Sequence, residues 1–165
     1  MFKLIEDFPD VAHSMLYIAQ IYRRTSRLTE ALDTISKAND IMEHLDNRAI
    51  YSRINRTYGN ILVDLNRHTE AIPKFEKALL IDQGIGRILG VAYNLQNLGY
   101  VYVCRGDYQG ALVAYVAAME KVQESGQDAS KPQIHRCRKN LDLIKRKIDD
   151  ETMDISMLIE RPKAK

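Results

Sequence analysis

The chain has 165 residues, enough for one domain with a real apolar core. Its 45% hydrophobic and 28% charged residues are the balance of a soluble globular protein rather than a disordered or fibrous one. A net charge of +2 and two cysteines exclude a strongly basic nucleic-acid binder and a disulfide framework, and no apolar run approaches the ~20 residues that span a bilayer. The charge is uneven: residues 131–150 hold seven basic and three acidic residues, a local +4. The opening MFKLIEDFPD places acids where a secretory signal carries bases and then an apolar run, so the cytoplasm is the expected location.

Residues 1–9 read as a lead-in whose Phe2, Leu4, Ile5 and Phe8 cover the first exposed face. Asp10 is a good N-cap after Pro9, and Met15, Ile18, Ala19 and Tyr22 then follow the 3-4 spacing of one helical face. Ser26-Arg27-Leu28-Thr29 breaks that pattern before a second helix with Ala31, Ile35, Ala38, Ile41 and Met42. After turn formers at Asp46 and Asn47, a second pair is expected at 48–65 and 69–81, with Asn66 suited to the left-handed end of a helix. Pro73 falls early in the latter helix, where the lost donor matters little. Gln83-Gly84-Ile85-Gly86 reads as a loop. A third pair follows at 87–104 and 107–124, divided by a Gly106 C-cap and an Asp107 N-cap. A polar connector, Ser125 to Lys131, leads to an amphipathic helix over 132–150 with Ile134, Cys137, Leu141, Ile144 and Ile148 on one stripe. The 151–165 tail, with Met153, Ile155, Met157, Leu158 and Ile159, is either a docking segment or disordered.

The helices are copies of one unit. Gly59, Leu62, Ala71, Phe75 and Ala78 recur 40 residues later as Gly99, Tyr102, Ala111, Tyr115 and Ala118, and 40 residues earlier as Ala19, Tyr22, Ala31, Ile35 and Ala38. Small residues let two helices approach, and the large residue fills the adjoining gap. With Leu95, Leu98, Gly106 and Tyr108 in the third copy, Tyr58 in the second, and Met15, Ile18 and Leu28 in the first, the pattern resembles the tetratricopeptide repeat over residues 12–124. The common form repeats every ~34 residues. A 40-residue period is similar to the longer branch of Leu-Gly-Asn-type adaptors and bacterial peptide-sensing or transcription regulators. The Tyr58-Gly59-Asn60 and Leu98-Gly99-Tyr100 triplets fit it.

The resemblance implies an all-α fold, an α-solenoid of three helix pairs with a capping helix, about seven helices in a right-handed superhelix. Repeats are expected over 12–47, 48–85 and 86–126, with the cap at 132–150 closing a single domain over 1–150; a terminal unit needs a polar outer face. It also implies that the first helix of each pair lines a concave groove. On that side lie His13, Leu16, Tyr17, Gln20 and Arg24; then Arg53, Arg56, Thr57, Asn60 and Asp64; then Tyr93, Gln96, Asn97, Tyr100 and Cys104. Amides bond a peptide backbone, guanidinium groups hold carboxylates, and tyrosines add contact area at small entropic cost. Asn60 and Asn97 stand out, because asparagine is a poor mid-helix residue and needs another reason to be there. Arg53 and Arg56 follow as acceptors of an acidic ligand.

Nothing catalytic competes. His13, His44, His68 and His135 lack metal-ligand spacing, Cys104 and Cys137 form no CxxC, and the 83–87 glycines lack the Lys-Ser/Thr of a phosphate loop. The tyrosines at 22, 102, 108 and 115 read as packing, and the basic helix from Arg136 to Lys147 as the solvated side of a cap. The expectation is a non-enzymatic adaptor without cofactor or metal, holding a peptide or helix of a protein partner in its groove. Nucleic acid and membrane insertion are not expected. The alternatives are a regulatory sensor region, a secretion-type chaperone, or self-association through the terminal helices.

Overall fold

The computed structural model describes residues 3–126 and 132–162, with side chains from Phe8 onward except Gln133. Among these residues seven helices follow in order, without a strand: α1 Lys3–Arg24, α2 Leu28–Glu43, α3 Arg48–Asp64, α4 His68–Gly84, α5 Ile88–Cys104, α6 Tyr108–Glu124 and α7 Pro132–Asp149. They gather into two compact units, residues 1–85 and 86–165. In the first, α1 packs on α2, α2 on α3 and α3 on α4, and α1 also meets α3; in the second, α6 packs on both α5 and α7. Among the described residues no helix is long and apolar enough to cross a membrane.

The turns inside the pairs recur at the same 40-residue interval. Ser26, Asn66 and Gly106 take left-handed φ values of 59°, 58° and 77°. Each sits in the same hydrogen-bonded closure, in which the next residue's N–H reaches back five residues: Arg27 N to Tyr22 O at 2.8 Å, Arg67 N to Leu62 O at 2.8 Å, and Asp107 N to Tyr102 O at 2.9 Å. Asp107 then caps α6, its Oδ1 accepting from Gly110 N at 2.8 Å, and Asn47 caps α3 by accepting from Ile50 N at 3.2 Å. Three identical turns impose one helix-to-helix geometry three times.

The small positions produce the expected close approach. A Cβ on Gly59 would stand 2.7 Å from the Phe75 ring, and one on Gly99 2.6 Å from the Tyr115 ring. Where the first pair has Ala19 instead, the partner is the slimmer Ile35, and both are fully buried. Around these contacts Leu16, Ala31, Ala38, Met42, Ile54 and Ile61 form the core of the first unit. Val103, Ala111, Tyr115, Ala118, Cys137 and Ile144 form that of the second, beside a smaller cluster of Ala92, Val122 and Ile134.

Two boundaries differ from expectation by more than two residues. Helix α1 begins at Lys3 and carries Pro9 inside it, rather than starting at Asp10. Proline's fixed φ is itself helical, and the single hydrogen bond it removes falls close to the helix end; the lead-in side chains Phe2, Leu4 and Ile5 lie outside those described. Helix α4 runs through Gly84, because the left-handed step falls two residues later, at Gly86 with φ 68°. Of the polar connector, residues 127–131 lie outside the described residues; Gly126 opens it with φ 65°. The tail docks: Ile155 is 1% exposed and joins the core of the second unit, with Met153 and Ile159 packed against it.

Candidate functional site

The face made by α1 and α3 is bound together by polar contacts between positions about one repeat apart. Arg53 Nη1 donates to His13 Nε2 at 3.1 Å and Arg53 Nη2 to the Tyr17 hydroxyl at 3.3 Å. The guanidinium also lies 5.5 Å from the centre of the Tyr17 ring, and the His13 and Tyr17 rings stand 4.9 Å apart. One turn further along, Gln20 Nε2 donates to Thr57 Oγ1 at 3.4 Å, and at the helix ends Arg23 pairs with Asp64. His13, Arg53 and Arg56 are half-buried, whereas Tyr17 and Arg24 are exposed. An aromatic ring, a guanidinium and an imidazole are thus presented together, partly open to solvent.

Asn60 lies deeper, only 3% exposed within the packed part of α3. Its mid-helix position therefore has a packing environment of its own. In the second unit Gln96 and Asn97 are buried likewise at 3% and 6%, while Tyr93 and Tyr100 are half-buried. The thiol of Cys104 is exposed at the end of α5; partial burial raises its pKa, opposed by the Tyr100 hydroxyl and by the positive charge of Arg161 from the tail.

Three contributors were not legible beforehand. Arg23, not Arg24, reaches Asp64. Asn140 of α7 and Glu160 of the tail form a three-bond polar contact in the second unit together with Tyr115. Asn140 Nδ2 donates to Glu160 O at 2.6 Å and to the Tyr115 hydroxyl at 3.0 Å, and Asn140 Oδ1 accepts from Glu160 N at 2.8 Å. The Glu160 carboxylate sits between Lys139 Nζ at 2.6 Å and Arg136 Nε at 3.3 Å, which together hold its pKa below the usual value. Part of the basic face of α7 is therefore engaged by the chain's own tail rather than by solvent. The signal available was Asn140 itself, one residue before Leu141, as Asn97 is one before Leu98. Among the described residues no group of three or more His, Cys, Asp or Glu is placed to hold a metal ion.

The family model described as tetratricopeptide repeat matches this chain twice, over residues 10–84 and 51–124. No curated protein matches its sequence. Among solved structures, BtubC (BKLC) from P. vanneervenii is similar with a TM-score of 0.79 at 19% identity, over 95% of this chain and 68% of that one. The apo form of RapI is similar with a TM-score of 0.76 at 16% identity, over 93% of this chain but only 41% of RapI. At such identities the likeness shows the fold, a helical repeat of the α-solenoid class. The family match, extending over most of the chain, shows more: this protein belongs to the tetratricopeptide repeat family, whose repeats are protein-interaction modules.

Proposed function

We propose that this protein is a non-catalytic adaptor of the longer-repeat branch that binds a peptide or helix of a partner on the faces of its first helices. In the first unit that face carries His13, Tyr17, Gln20 and Arg24 from α1 and Arg53, Arg56 and Asp64 from α3, with the buried Asn60 beneath it. In the second it carries Tyr93 and Tyr100 from α5, with Gln96 and Asn97 buried between them as its supports. The observation that carries the reading is the His13–Tyr17–Arg53 cluster. A partner carboxylate approaching Arg53 would replace single bonds to an imidazole nitrogen and a phenol hydroxyl with a two-pronged contact to an opposite charge, which is the stronger interaction. The half-open Tyr17 ring supplies contact area beside it. The two free cysteines support work in a reducing compartment such as the cytoplasm.

The test is an affinity capture from source lysate with wild type, Tyr17→Ala/Arg53→Ala and Asn60→Ala/Asn97→Ala, all first shown equally helical. Partners captured by wild type and lost with Tyr17→Ala/Arg53→Ala place binding on the α1–α3 face. Capture unchanged by both variants refutes the reading.

A second reading, self-association through α1, has its own observation. Phe8, Val11, Ile18 and Ile21 leave an exposed apolar stripe on that helix. The residues 40 positions later on α3, Tyr51, Tyr58 and Ile61, instead pack into the cluster that holds Ile35 and Met42 of α2. The stripe is thus the face that a helix covers elsewhere in the same unit, and a second copy of the chain is the proposed cover. Sedimentation across a concentration series, with Ile18→Glu as the control, decides it; a wild type that stays monomeric at every concentration removes this reading.

A further inference from the structure

The segment after α7 is held as a ligand is held. It has no helix of its own: Asp150 accepts from Thr152 N at 3.0 Å and Asp154 from Ser156 N at 2.9 Å, and Ile155 O accepts from Leu158 N at 2.9 Å and Ile159 N at 3.0 Å, so single turns shape it rather than a helical ladder. Its docking rests on three contacts of different kinds. Ile155 is buried in an apolar cluster with Val103 of α5, Tyr115 of α6 and Cys137 and Ile144 of α7. Five residues later, the carboxamide of Asn140 takes both the N–H and the C=O of Glu160. That pairing matches what one backbone residue offers another across an antiparallel strand pair, and it does not depend on which side chain the bound residue carries. The third contact does: the Glu160 carboxylate lies between Arg136 and Lys139.

Asn140 is itself preset for this task. It is 1% exposed, and its amide is oriented from below by the hydroxyl of the fully buried Tyr115 at 3.0 Å. A buried asparagine with a fixed orientation that spends its remaining donor and acceptor on one non-helical residue is a recognition device rather than a packing residue. By contrast the bound side chains are dispensable to their surroundings at one end: Met157 is 92% exposed and Leu158 47%, so the tail offers apolar side chains to solvent while it is docked.

We infer that the α7 face around Asn140 is a peptide-binding site, and that residues 153–162 occupy it as a displaceable internal ligand that keeps outside peptides off the second unit until it leaves. The ligand class follows from the contacts: a non-helical peptide with a branched apolar residue and, five positions on, a glutamate. This extends to α7 the reading of first-helix faces as peptide-binding surfaces and rests on that reading. Release of the tail also exposes Met153, Ile155 and Ile159 together, so the freed tail becomes an apolar binding segment in its turn.

The experiment uses the full chain and a fluorescent synthetic peptide of residues 150–162, followed by anisotropy. Three proteins are compared: wild type, Ile155→Asp/Glu160→Lys, and the same variant with Asn140→Ala added. Helical content and thermal melting are recorded for each. The expected result is at least ten-fold tighter peptide binding by the tail-released variant than by wild type, and loss of that gain with Asn140→Ala. A tail-released variant that is as helical as wild type yet binds no better overturns the inference. So does one that loses helical structure, because the tail is then part of the core and not displaceable. Glu160→Lys alone keeps Ile155 in place and is the milder check: it should raise peptide affinity part of the way, and no change counts against the site. Partner capture through Tyr17 and Arg53, measured on the same tail-released protein, stays intact if only this inference fails and disappears if the underlying reading of the faces fails.

Discussion

Replacing Gly59 with alanine tests the principle that sets the helix spacing. The added Cβ would lie 2.7, 2.8 and 2.9 Å from three ring carbons of Phe75, against the ~3.5–4 Å at which carbons normally rest. The ring is 1% exposed and enclosed by its own unit, so helix and ring must separate by several tenths of an ångström. Overpacking of this kind costs about 1–3 kcal/mol. Alanine returns ~1 kcal/mol through its better helix propensity. The net expectation for Gly59→Ala is a loss of about 1 kcal/mol, or roughly 2–4 °C in melting temperature for a chain of this size. The first pair shows the remedy, since Ala19 and Ile35 hold the corresponding positions there and are both fully buried in one cluster. Phe75→Ile alone should cost about 1–2 kcal/mol through the space it vacates. Combined with Gly59→Ala it should cost less than the two separately, with a coupling of about 1–2 kcal/mol. Urea unfolding followed by circular dichroism on the four proteins measures the cycle. Additivity within ~0.5 kcal/mol, or a Gly59→Ala protein more stable than wild type, refutes the argument.

The left-handed turns make a second prediction. Ser26→Gly should stabilise by up to ~1 kcal/mol and Gly106→Ala destabilise by ~1–2 kcal/mol, since nothing within 4 Å of Gly106 confounds the backbone term at φ 77°; melting temperatures moving the same way would contradict it. The thiols differ in reach: burial pushes Cys137 up to about 12 from the ordinary 9.0, whereas Cys104 is exposed. A disulfide reagent at pH 8 should therefore label Cys104 alone until the protein unfolds, as read by peptide mass. Because the folded chain keeps Cys137 protonated, its contribution is complete below 9.0 and is lost between there and about 12, so urea midpoints should fall with rising pH in that window and fall less in Cys137→Ala. Glu160 works in the opposite direction. Lys139, then Arg136, hold its carboxyl below the ordinary 4.5, so this part of tail docking is present above 4.5 and is lost as acid titrates it. The Glu160 amide shift in NMR should titrate below 4.5, and a midpoint at or above that value would remove the ion pairs from the account.

How much was legible depends on whether a residue's role is local. Asn66 and Gly106 were readable as left-handed helix ends, and Gly59 and Gly99 as contact points, because a backbone conformation or a missing Cβ is a property of one residue repeated at a fixed interval. The start of α1 was misread at Pro9, where a local rule about proline gave way to a helix that buries Ala12, Leu16 and Ala19 beyond it. The face residues were legible as a set but not as contacts. The resemblance to the repeat, read in register, implied one side for His13, Tyr17 and Arg53, while only the packing of α1 against α3 showed that they touch one another.

By itself, then, the sequence determined the repeat: an interval of 40 residues, helix pairs closed by the same turn, and a small residue opposite a large one in each. These are short-range matters of backbone geometry and side-chain volume, and they recur wherever the same residues recur. Tertiary structure alone decided what depends on partners distant in the chain. Arg23 rather than Arg24 meets Asp64, Asn60 and Asn97 are buried rather than open, and a tail of uncertain order comes to rest on Asn140. Each depends on the angle at which one helix crosses another, and a shift of a single helical residue, about 100° around the axis, is enough to exchange an exposed side chain for a buried one.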